Sequence, residues 1–300
     1  MKTLWITGAG GFVGRHLAHS RVLAGQRVGA VGHGVEHSVA DHRIEADIAV
    51  PALDRLADLT GRPDVVYHLA GGSSVGASLD DPLRDRARTV GSTVALVDWL
   101  TQNAPSVRLV AASSAAVYGD GHTGQIGTQA PLNPYSPYAS HKTLMEDLCL
   151  RSGLSVSVTR LFSVYGPGLR KQLLWDICTR LAAGAEELVL GGTGQECRDW
   201  TYIEDVIRFL EKASRTCLKG GSILNAGTGE PTAVAAIAQA VVNAWSEQPV
   251  PVRFNGSRRA GDPFSLVAVP SCLPGHRWET SLSEGISRYV SWFKSKLSNP

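Results

Sequence analysis

Thr7-Gly8-Ala9-Gly10-Gly11-Phe12-Val13-Gly14 is the segment that decides the expected fold. It follows a short apolar run, Leu4-Trp5-Ile6, and opens a stretch in which apolar residues recur with helical spacing. A glycine turn between a strand and a helix lets the backbone approach a pyrophosphate, while the helix N-terminus offers N–H groups and the positive end of a dipole. The segment therefore predicts a dinucleotide-binding site at the start of the chain.

Apolar strands alternate with helical patterns downstream of this turn. Strands are predicted over residues 27–31, 64–70, 107–112 and 155–162, and helices over 89–103 and 138–151. This alternation is typical of a parallel, doubly wound α/β sheet with right-handed crossovers. We therefore predict a cofactor-binding domain over residues 1–165. A smaller lobe, mainly for substrate, is predicted over 166–300, with about residues 199–225 returning to the first sheet.

Composition argues against several classes of protein. Hydrophobic residues make up 43% of the 300 residues and charged residues 19%, so a large core can form and disorder is not expected. A net charge of +2 without a basic run predicts no nucleic-acid partner and no membrane surface. The five scattered cysteines lack a Cys-x-x-Cys pair, and neither a secretory leader nor a membrane span is recognisable. We therefore expect a cytoplasmic protein without a disulfide framework.

Tyr138 and Lys142 are four residues apart in a predicted helix, so their side chains share one helix face. A tyrosine phenol has an ordinary pKa of about 10 and is a poor acid or base at neutral pH. A lysine ammonium ~4 Å away would favour the phenolate by up to ~4 kcal/mol at an effective dielectric constant of ~20, which would bring that pKa toward ~7. The pair therefore predicts a proton-transfer group, although the same spacing also occurs by chance on protein surfaces.

Ser113 and Ser114 end a predicted strand of the same sheet, where a serine hydroxyl can hydrogen-bond the oxygen that Tyr138 protonates. With these residues the chain resembles the extended short-chain dehydrogenase/reductases, and among them the NAD(P)-dependent nucleotide-sugar epimerase/dehydratase family. The resemblance covers nearly the whole chain. It rests on Thr7–Gly14, Asp47-Ile48, His68-Leu-Ala-Gly71, Ser113-Ser114, Tyr138-x-x-x-Lys142, Arg160-Leu-Phe-Ser-Val-Tyr-Gly-Pro167, Arg198-Asp-Trp-Thr-Tyr-Ile-Glu-Asp205, Asn225-Ala-Gly-Thr-Gly229 and Arg259-Ala-Gly-Asp262.

The resemblance implies a doubly wound parallel Rossmann sheet with a smaller mixed α/β C-terminal substrate lobe. It implies Ser114, Tyr138 and Lys142 as the catalytic set. Cofactor contacts are implied at Gly8, Gly11, Phe12, Val13, Gly14, Asp47, Ile48, Leu69, Ala70 and Gly71, in addition to Tyr138 and Lys142. Substrate contacts are expected at Ser73, Ser114, Ser163, Arg198 and Arg259. The two arginines suit a pyrophosphate because their planar forks pair with phosphate oxygens, and the alternative for each is a surface ion pair.

Two departures from the family pattern bear on the reaction and on one cofactor contact. Ala115 and Ala116 occupy the places where the family's dehydratases carry an acidic pair, which disfavours dehydration. Thr89 stands where the family usually has an asparagine, so a cofactor-side contact there is in doubt.

The end of the second strand bears on the choice of cofactor. An NAD enzyme usually has an acid there that binds the ribose hydroxyls, but this chain has Gly32. Without that acid a 2′-phosphate would not be repelled, and His33, Arg15 or Arg43 could contact it. The cofactor is therefore expected to be NAD or NADP, with NADP favoured and His33 as a further cofactor contact.

One apparent metal motif is also present. His33-Gly-Val-Glu-His37 has the spacing of a zinc-hydrolase pattern, but a glycine-containing stretch after a strand is a poor helix, so no metal is predicted. His68 ends an apolar strand and is expected to be a hydrogen-bonded core residue.

The reaction that the resemblance implies is hydride transfer at a sugar carbon, most often C4, of a nucleotide-diphosphate sugar. We favour an NAD(P)H-dependent 4-ketoreductase of a nucleotide-linked deoxysugar because the ribose acid is missing. The alternative is a redox-neutral 4-epimerase with tightly bound NAD, and a catalytically silent NAD(P)-binding regulator is a third hypothesis. The resemblance also implies a homodimer in which helices 89–103 and 138–151 pair with their symmetry mates.

Overall fold

The computed structural model describes residues 1–248, 250–257 and 262–298. Its strands are β1 Thr3–Thr7, β2 Arg27–Gly32, β3 His42–Glu45, β4 Val65–His68, β5 Arg108–Ser114, β6 Gln125–Ile126, β7 Ser155–Leu161, β8 Ser163–Tyr165, β9 Leu188–Leu190, β10 Cys197–Tyr202, β11 Leu218–Lys219, β12 Ser222–Ala226, β13 Pro231–Ala233, β14 Val252–Phe254 and β15 Ser265–Ala268. Its α-helices are α1 Phe12–Ala18, α2 Val50–Thr60, α3 Val75–Asp80, α4 Pro82–Arg86, α5 Ser92–Asn103, α6 Pro137–Leu150, α7 Gln172–Ala182, α8 Ile203–Ala213, α9 Val234–Trp245 and α10 Leu282–Ser298. Short 3-10 turns cover Arg21–Leu23, Val35–His37 and Ala115–Tyr118, and a π-helical turn, Ala87–Gly91, precedes α5.

The main sheet has the strand order β3-β2-β1-β4-β5-β7, and both β12 and β11 pair with the outer edge of β7. All of these strands run parallel except β11. β1 lies between β2 and β4, where the strand order reverses, and the glycine turn follows it. The carboxyl ends of parallel strands at such a reversal form a crevice that binds ligands. The predicted doubly wound parallel Rossmann sheet is therefore confirmed.

Strand alternation gives each face of this sheet its own core. Leu4 and Ile6 point into one core together with Leu17 of α1 and Phe209 of α8. Trp5 lies on the opposite face, among residues of α2, α5 and α6. Because successive strand residues face opposite ways, both faces are covered by helices and the strand itself is buried. The catalytic edge is thereby held on a rigid layer.

A second, mixed sheet has the order β13-β10-β15-β6, and β8 also pairs with β10. Three of its strands come from the C-terminal part of the chain, whereas β6 and β8 precede residue 166. A two-stranded sheet, β9 with β14, and helices α7, α9 and α10 complete this layer. Strand Ser222–Ala226 nevertheless lies in the main sheet, parallel to β7. The division of the chain at residue 165 stays a prediction.

A buried ionic network joins helix α6 to the main sheet. Glu146 of α6 accepts two hydrogen bonds from Arg160 of β7, at 3.0 and 2.7 Å, and one from the Ser113 hydroxyl. Arg160 also donates to the carbonyl of Thr128 and lies over the ring of Tyr118. The Glu146 carboxylate and the Arg160 guanidinium are both almost fully buried, so each charge is stabilised by the other. The network fixes the rotation of α6, the helix that carries Tyr138 and Lys142.

Candidate active site

One cavity of about 1440 Å³ opens over the carboxyl edge of the main sheet, between it and the second sheet. The residues predicted above to bind cofactor or substrate, or to act in catalysis, line this cavity, apart from Arg259 and the two arginines considered for a 2′-phosphate, Arg15 and Arg43. Arg259 lies outside the residues that the structure describes. Pockets for one drug-sized molecule are usually about 300–1,000 Å³, so this cavity has room for a dinucleotide and a second ligand.

The glycine turn forms one end of the cavity floor. Gly8 has φ +69°, and a Cβ added there would lie 2.7 Å from the backbone nitrogen of Ala70. A Cβ on Gly14 would lie 2.2 Å from the carbonyl oxygen of Gly8. Gly11 is the N-cap residue of α1 and has no side chain that could cap the helix. The N–H groups of the first helical turn are therefore accessible to a ligand. This backbone fits a dinucleotide pyrophosphate, because only glycine permits the close packing of strand, turn and helix.

The end of β2 is more acidic than the sequence suggested. Glu45 stands beside Gly32 in the register of β3 against β2, and its carboxylate accepts hydrogen bonds from the backbone N–H groups of Gly34 and Val35, each at 2.9 Å. The His33 ring lies 3.5 Å from Glu45 and 2.8 Å from Asp47.

Two of the three basic residues considered for a 2′-phosphate, His33 and Arg43, are engaged elsewhere. His33 faces two carboxylates, and Arg43 donates to the carbonyls of Glu36 and Ser38. The preference for NADP, which depended on a missing acid, is not confirmed.

Ser114, Tyr138 and Lys142 meet at the centre of the cavity. Ser114 Oγ accepts a hydrogen bond from the backbone N–H of Ala116 at 3.2 Å, and the Lys142 ammonium donates to the carbonyl of Ala112 at 2.8 Å. Strand alternation explains which serine takes part. Ser114 faces the cavity, whereas Ser113 points to Glu146 on the other side. The structure therefore brings the predicted catalytic set together.

The charge states in this set differ from the sequence prediction. Burial raises the pKa of the Tyr138 phenol, and the Ser114 hydroxyl offsets part of that rise. Burial also lowers the pKa of Lys142 to about 8. The expected depression of the phenol pKa by Lys142 is absent because the ammonium turns to the Ala112 carbonyl and the phenol is desolvated.

The loop after β4 lies against this set. Gly71 and Gly72 follow the strand, and the N–H of Gly72 donates to the buried Thr89 hydroxyl at 2.7 Å. A Cβ on Gly71 would lie 3.3 Å from the Lys142 ammonium nitrogen. Thr89, the departure from the family's asparagine, thus holds this loop in place beside Lys142.

The other end of the cavity carries the predicted substrate residues. Arg198 of β10 donates to the carbonyl of Cys197 and lies 3.2 Å from the Asp262 carboxylate, with its side chain 16% exposed. Ser163 of β8 lines the wall nearby. The carbonyl of Ser73 accepts a hydrogen bond from the Lys171 ammonium at 2.6 Å, which connects the loop after β4 to the start of α7.

Some cavity residues were not identified from the sequence. Lys171 is the N-cap residue of α7, and Gln172 is the first residue of that helix. Gln172 has φ +67°, a backbone conformation that is rare outside glycine. Trp175 lines the same wall and packs against Phe293 of α10. These residues follow the Tyr165-Gly-Pro167 motif closely, and that proximity is the signal by which they could have been found.

The histidines behave as structural residues. His68 is fully buried, its two ring nitrogens bond Thr7 at 2.7 Å and Thr93 at 2.9 Å, and burial lowers its pKa to about 3. Residues 35–37 form a 3-10 turn instead of the regular helix that the zinc pattern needs. Among the described residues, no group of three or more His, Cys, Asp or Glu side chains could hold a metal ion.

No helix in the described ranges 1–248, 250–257 and 262–298 is long and apolar enough to cross a bilayer.

A doubly wound sheet with a glycine turn and a Ser–Tyr–Lys set at its ligand-binding edge defines a dinucleotide-dependent enzyme of the short-chain dehydrogenase/reductase class. Residues 4–227 match the NAD dependent epimerase/dehydratase family. The chain therefore belongs to that family and is an enzyme.

Relatives and solved structures agree with this assignment. The chain is 30% identical to a UDP-glucose 4-epimerase of Mycolicibacterium smegmatis, with 99% of each chain covered. It is 26% identical to a UDP-N-acetyl-alpha-D-glucosaminuronate decarboxylase of Bacillus cytotoxicus, with 98% of each covered. The structure of MoeE5 in complex with UDP-glucose and NAD superposes with a TM-score of 0.85 at 27% identity, covering 98% of this chain and 99% of MoeE5.

Proposed function

We propose that the enzyme is a redox-neutral 4-epimerase of a nucleotide-diphosphate hexose that works with tightly bound NAD. The observation that carries this proposal is the acidic end of β2 and β3, where Glu45 and Asp47 surround His33. Carboxylates there suit the free ribose hydroxyls of NAD and repel the 2′-phosphate of NADP. The ketoreductase hypothesis depended on the lack of such an acid, so the epimerase is now the better supported of the two.

The residues of the site suit this reaction. Bound NAD would supply reversible hydride transfer, which could remove a hydride from the sugar carbon and return it to the opposite face. The Tyr138 phenolate takes the proton from the sugar 4-hydroxyl, and the phenol later returns it to the same oxygen. Ser114 holds that oxygen through its hydroxyl, and Lys142 binds the cofactor ribose. Because the proton and hydride both return, no net oxidation occurs.

Ala115 and Ala116 support the same proposal. Both are buried in the wall of the cavity beside Ser114. Elimination of water needs a base at the sugar carbon that loses a proton and an acid at the carbon that loses its hydroxyl, and a methyl side chain supplies neither. Dehydration is therefore disfavoured at this site.

The substrate is proposed to be a UDP-hexose. The relatives at full coverage include a UDP-glucose 4-epimerase, and MoeE5 holds UDP-glucose beside NAD. Arg198 lines the cavity at the end away from the glycine turn, where its guanidinium suits a pyrophosphate. Arg259, outside the described residues, stays the predicted second partner of that group.

A homodimer is also proposed. Helices α5 and α6 pack side by side and expose apolar residues on their outer faces, with Val94 38% and Leu144 48% exposed. Leu79 and Leu83 on the neighbouring helices α3 and α4 are 58% and 78% exposed. A two-fold partner would cover this patch through an isologous contact.

The test uses purified enzyme with its retained cofactor, incubated with UDP-glucose. We expect UDP-galactose to form, detected by chromatography, while absorbance at 340 nm stays constant without added NADH or NADPH. Tyr138→Phe should abolish turnover and leave NAD binding nearly intact, whereas Tyr67→Phe, a buried tyrosine of β4 outside the cavity, should remain active. Stoichiometric consumption of NADPH with a nucleotide-linked 4-keto-6-deoxysugar, without epimerisation, would establish the ketoreductase instead.

A further inference from the structure

A buried pair of hydrogen-bonded side chains lies directly behind the wall of the active site. The Asp85 carboxylate of α4 is 2.6 Å from Nδ1 of His141 on α6. The two side chains are only 5% and 12% exposed, and neither lines the cavity. His141 immediately precedes Lys142 and is three residues after Tyr138, so the pair borders both proton-handling groups.

The loop after β4 lies between Asp85 and Lys142, and two consecutive residues of this loop adjoin the two side chains. A Cβ added to Gly72 would lie 1.8 Å from Oδ1 of Asp85, so the carboxylate is pressed against the loop. At the preceding residue, a Cβ on Gly71 would lie 3.3 Å from the Lys142 nitrogen. No side chain larger than hydrogen fits at Gly72 while Asp85 keeps this position.

The charge of Asp85 reaches both members of the catalytic pair. It raises the pKa of Lys142 against the effect of burial, and among the charged neighbours of Lys142 its effect is the largest. It also adds to the rise that burial gives to the pKa of Tyr138. A carboxylate this deeply buried is costly to desolvate, and it interacts strongly with charges across the low-dielectric wall.

Other charges nearby act less strongly on this site. On α6, Glu146 is neutralised by the buried Arg160, and Asp147 is paired with Arg151 at the surface. The remaining charged residues on α3, on α4 and its N-cap, and on the π-helical turn are exposed and screened by water: Asp80, Asp81, Arg84, Arg86 and Arg88. Cys149, the other titratable neighbour of Lys142 on α6, is buried, and burial raises its pKa to about 12.

We propose that Asp85, held in place by His141, is a positioning residue that sets the charge state of the Tyr138–Lys142 pair from behind the cavity wall. Its carboxylate keeps the buried Lys142 protonated, so that the ammonium can bind the cofactor ribose at the working pH. It also disfavours the Tyr138 phenolate, in addition to the larger effect of burial. This inference rests on the catalytic roles in the proposed function.

The test measures the pH dependence of kcat and of NAD affinity in Asp85→Asn. This substitution keeps an acceptor oxygen for His141. Removing the negative charge should lower the pKa values of both Tyr138 and Lys142. We expect both limbs of the kcat profile to move about 0.5–1 pH unit toward acid. The pH at which NAD affinity falls, followed by fluorescence quenching in cofactor-stripped protein, should move the same way. A merely structural residue would lower kcat equally at every pH.

Asp147→Asn is the matched control, because it removes an exposed, paired carboxylate from helix α6, and it should leave both profiles in place. His141→Asn retains an N–H donor beside Asp85 and should not move either profile toward acid. An acid shift in His141→Asn would overturn the proposal, as would unchanged profiles in Asp85→Asn. If Asp85→Asn does not fold, the His141→Asn profiles decide.

The NAD-affinity profile separates this inference from the proposed function. If the wild-type enzyme epimerises no nucleotide sugar, the proposed function is wrong, yet the effect of Asp85 on Lys142 is still measured through NAD. If the enzyme epimerises but the affinity profile of Asp85→Asn matches the wild type, only the role of Asp85 is wrong.

Discussion

The buried charge of Lys142 is expected to lower the free energy of unfolding of the protein. Its side chain is 4% exposed, and its ammonium donates to the Ala112 carbonyl with no carboxylate in direct contact. Replacing it with methionine preserves the length and apolar stem of the side chain but removes the buried charge. We therefore expect Lys142→Met to be inactive and more stable than the wild type at neutral pH.

The magnitude follows from the pKa of about 8, which is roughly 2.5 below the ordinary value of 10.5. At about 1.36 kcal/mol per pH unit, keeping this ammonium protonated costs the folded state about 3 kcal/mol. Methionine cannot donate to the Ala112 carbonyl, and losing that hydrogen bond costs about 1 kcal/mol. The free energy of unfolding should therefore rise by about 2 kcal/mol.

The pH dependence has a definite sign. Below pH 8 the lysine is protonated in both the folded and unfolded states, so the penalty is fully present. Between pH 8 and 10.5 the unfolded chain binds more protons than the folded one, and the stability that this group contributes rises with pH. The advantage of Lys142→Met should thus be largest below pH 8 and should fall as the pH rises, until near pH 10.5 only the loss of the hydrogen bond to Ala112 remains and the variant is about 1 kcal/mol less stable than the wild type.

Urea unfolding of cofactor-stripped protein between pH 6 and 10 measures this difference. Lys296→Met on α10, where the lysine is exposed, should change stability by less than about 0.5 kcal/mol at every pH. The reasoning is refuted if Lys142→Met is less stable than the wild type at pH 7, or if its advantage does not depend on pH.

Three further outcomes are expected. Glu146→Gln leaves the guanidinium of Arg160 buried without its counter-charge, and urea unfolding should show a loss of about 3–5 kcal/mol. Glu45→Gln removes one negative charge near the proposed ribose site, so the affinity for NADP relative to NAD, measured by fluorescence quenching, should rise about three- to tenfold. Val94→Lys combined with Leu144→Lys should give a monomer by light scattering, whereas the wild type should be a dimer.

The parts of the site that were predictable depend on local spacing. The glycine turn directly joins a strand to a helix. Tyr138 and Lys142 are four residues apart in α6 and therefore lie on the same face of the helix. Ser114, which was expected to end a strand of the same sheet, is the last residue of β5. Local spacing did not predict the direction of the Lys142 ammonium. Its partner, the Ala112 carbonyl, belongs to another element of the chain.

Contacts between distant segments were the part that sequence could not supply. Asp85 and His141 are brought together by the packing of α4 against α6, and neither residue belongs to a recognisable motif. Their importance becomes visible only with Gly72 between them and the cavity. The hydrogen-bonded pair of Asp85 and His141 leaves no periodic pattern in the sequence, because its two members lie on separate helices.

The end of β2 shows the same limit and bears on the proposed choice of cofactor. Gly32 has φ +138°, so an aspartate there would be strained, and its Cβ would lie 3.2 Å from the backbone nitrogen of Gly8. The close approach of the glycine turn thus excludes the usual ribose acid from this position. The neighbouring strand supplies carboxylates instead, because the register that pairs Gly32 with Glu45 brings Glu45 to the same edge and Asp47 follows it. An acid absent from one strand was therefore no evidence for NADP, since the adjacent parallel strand ends at the same place.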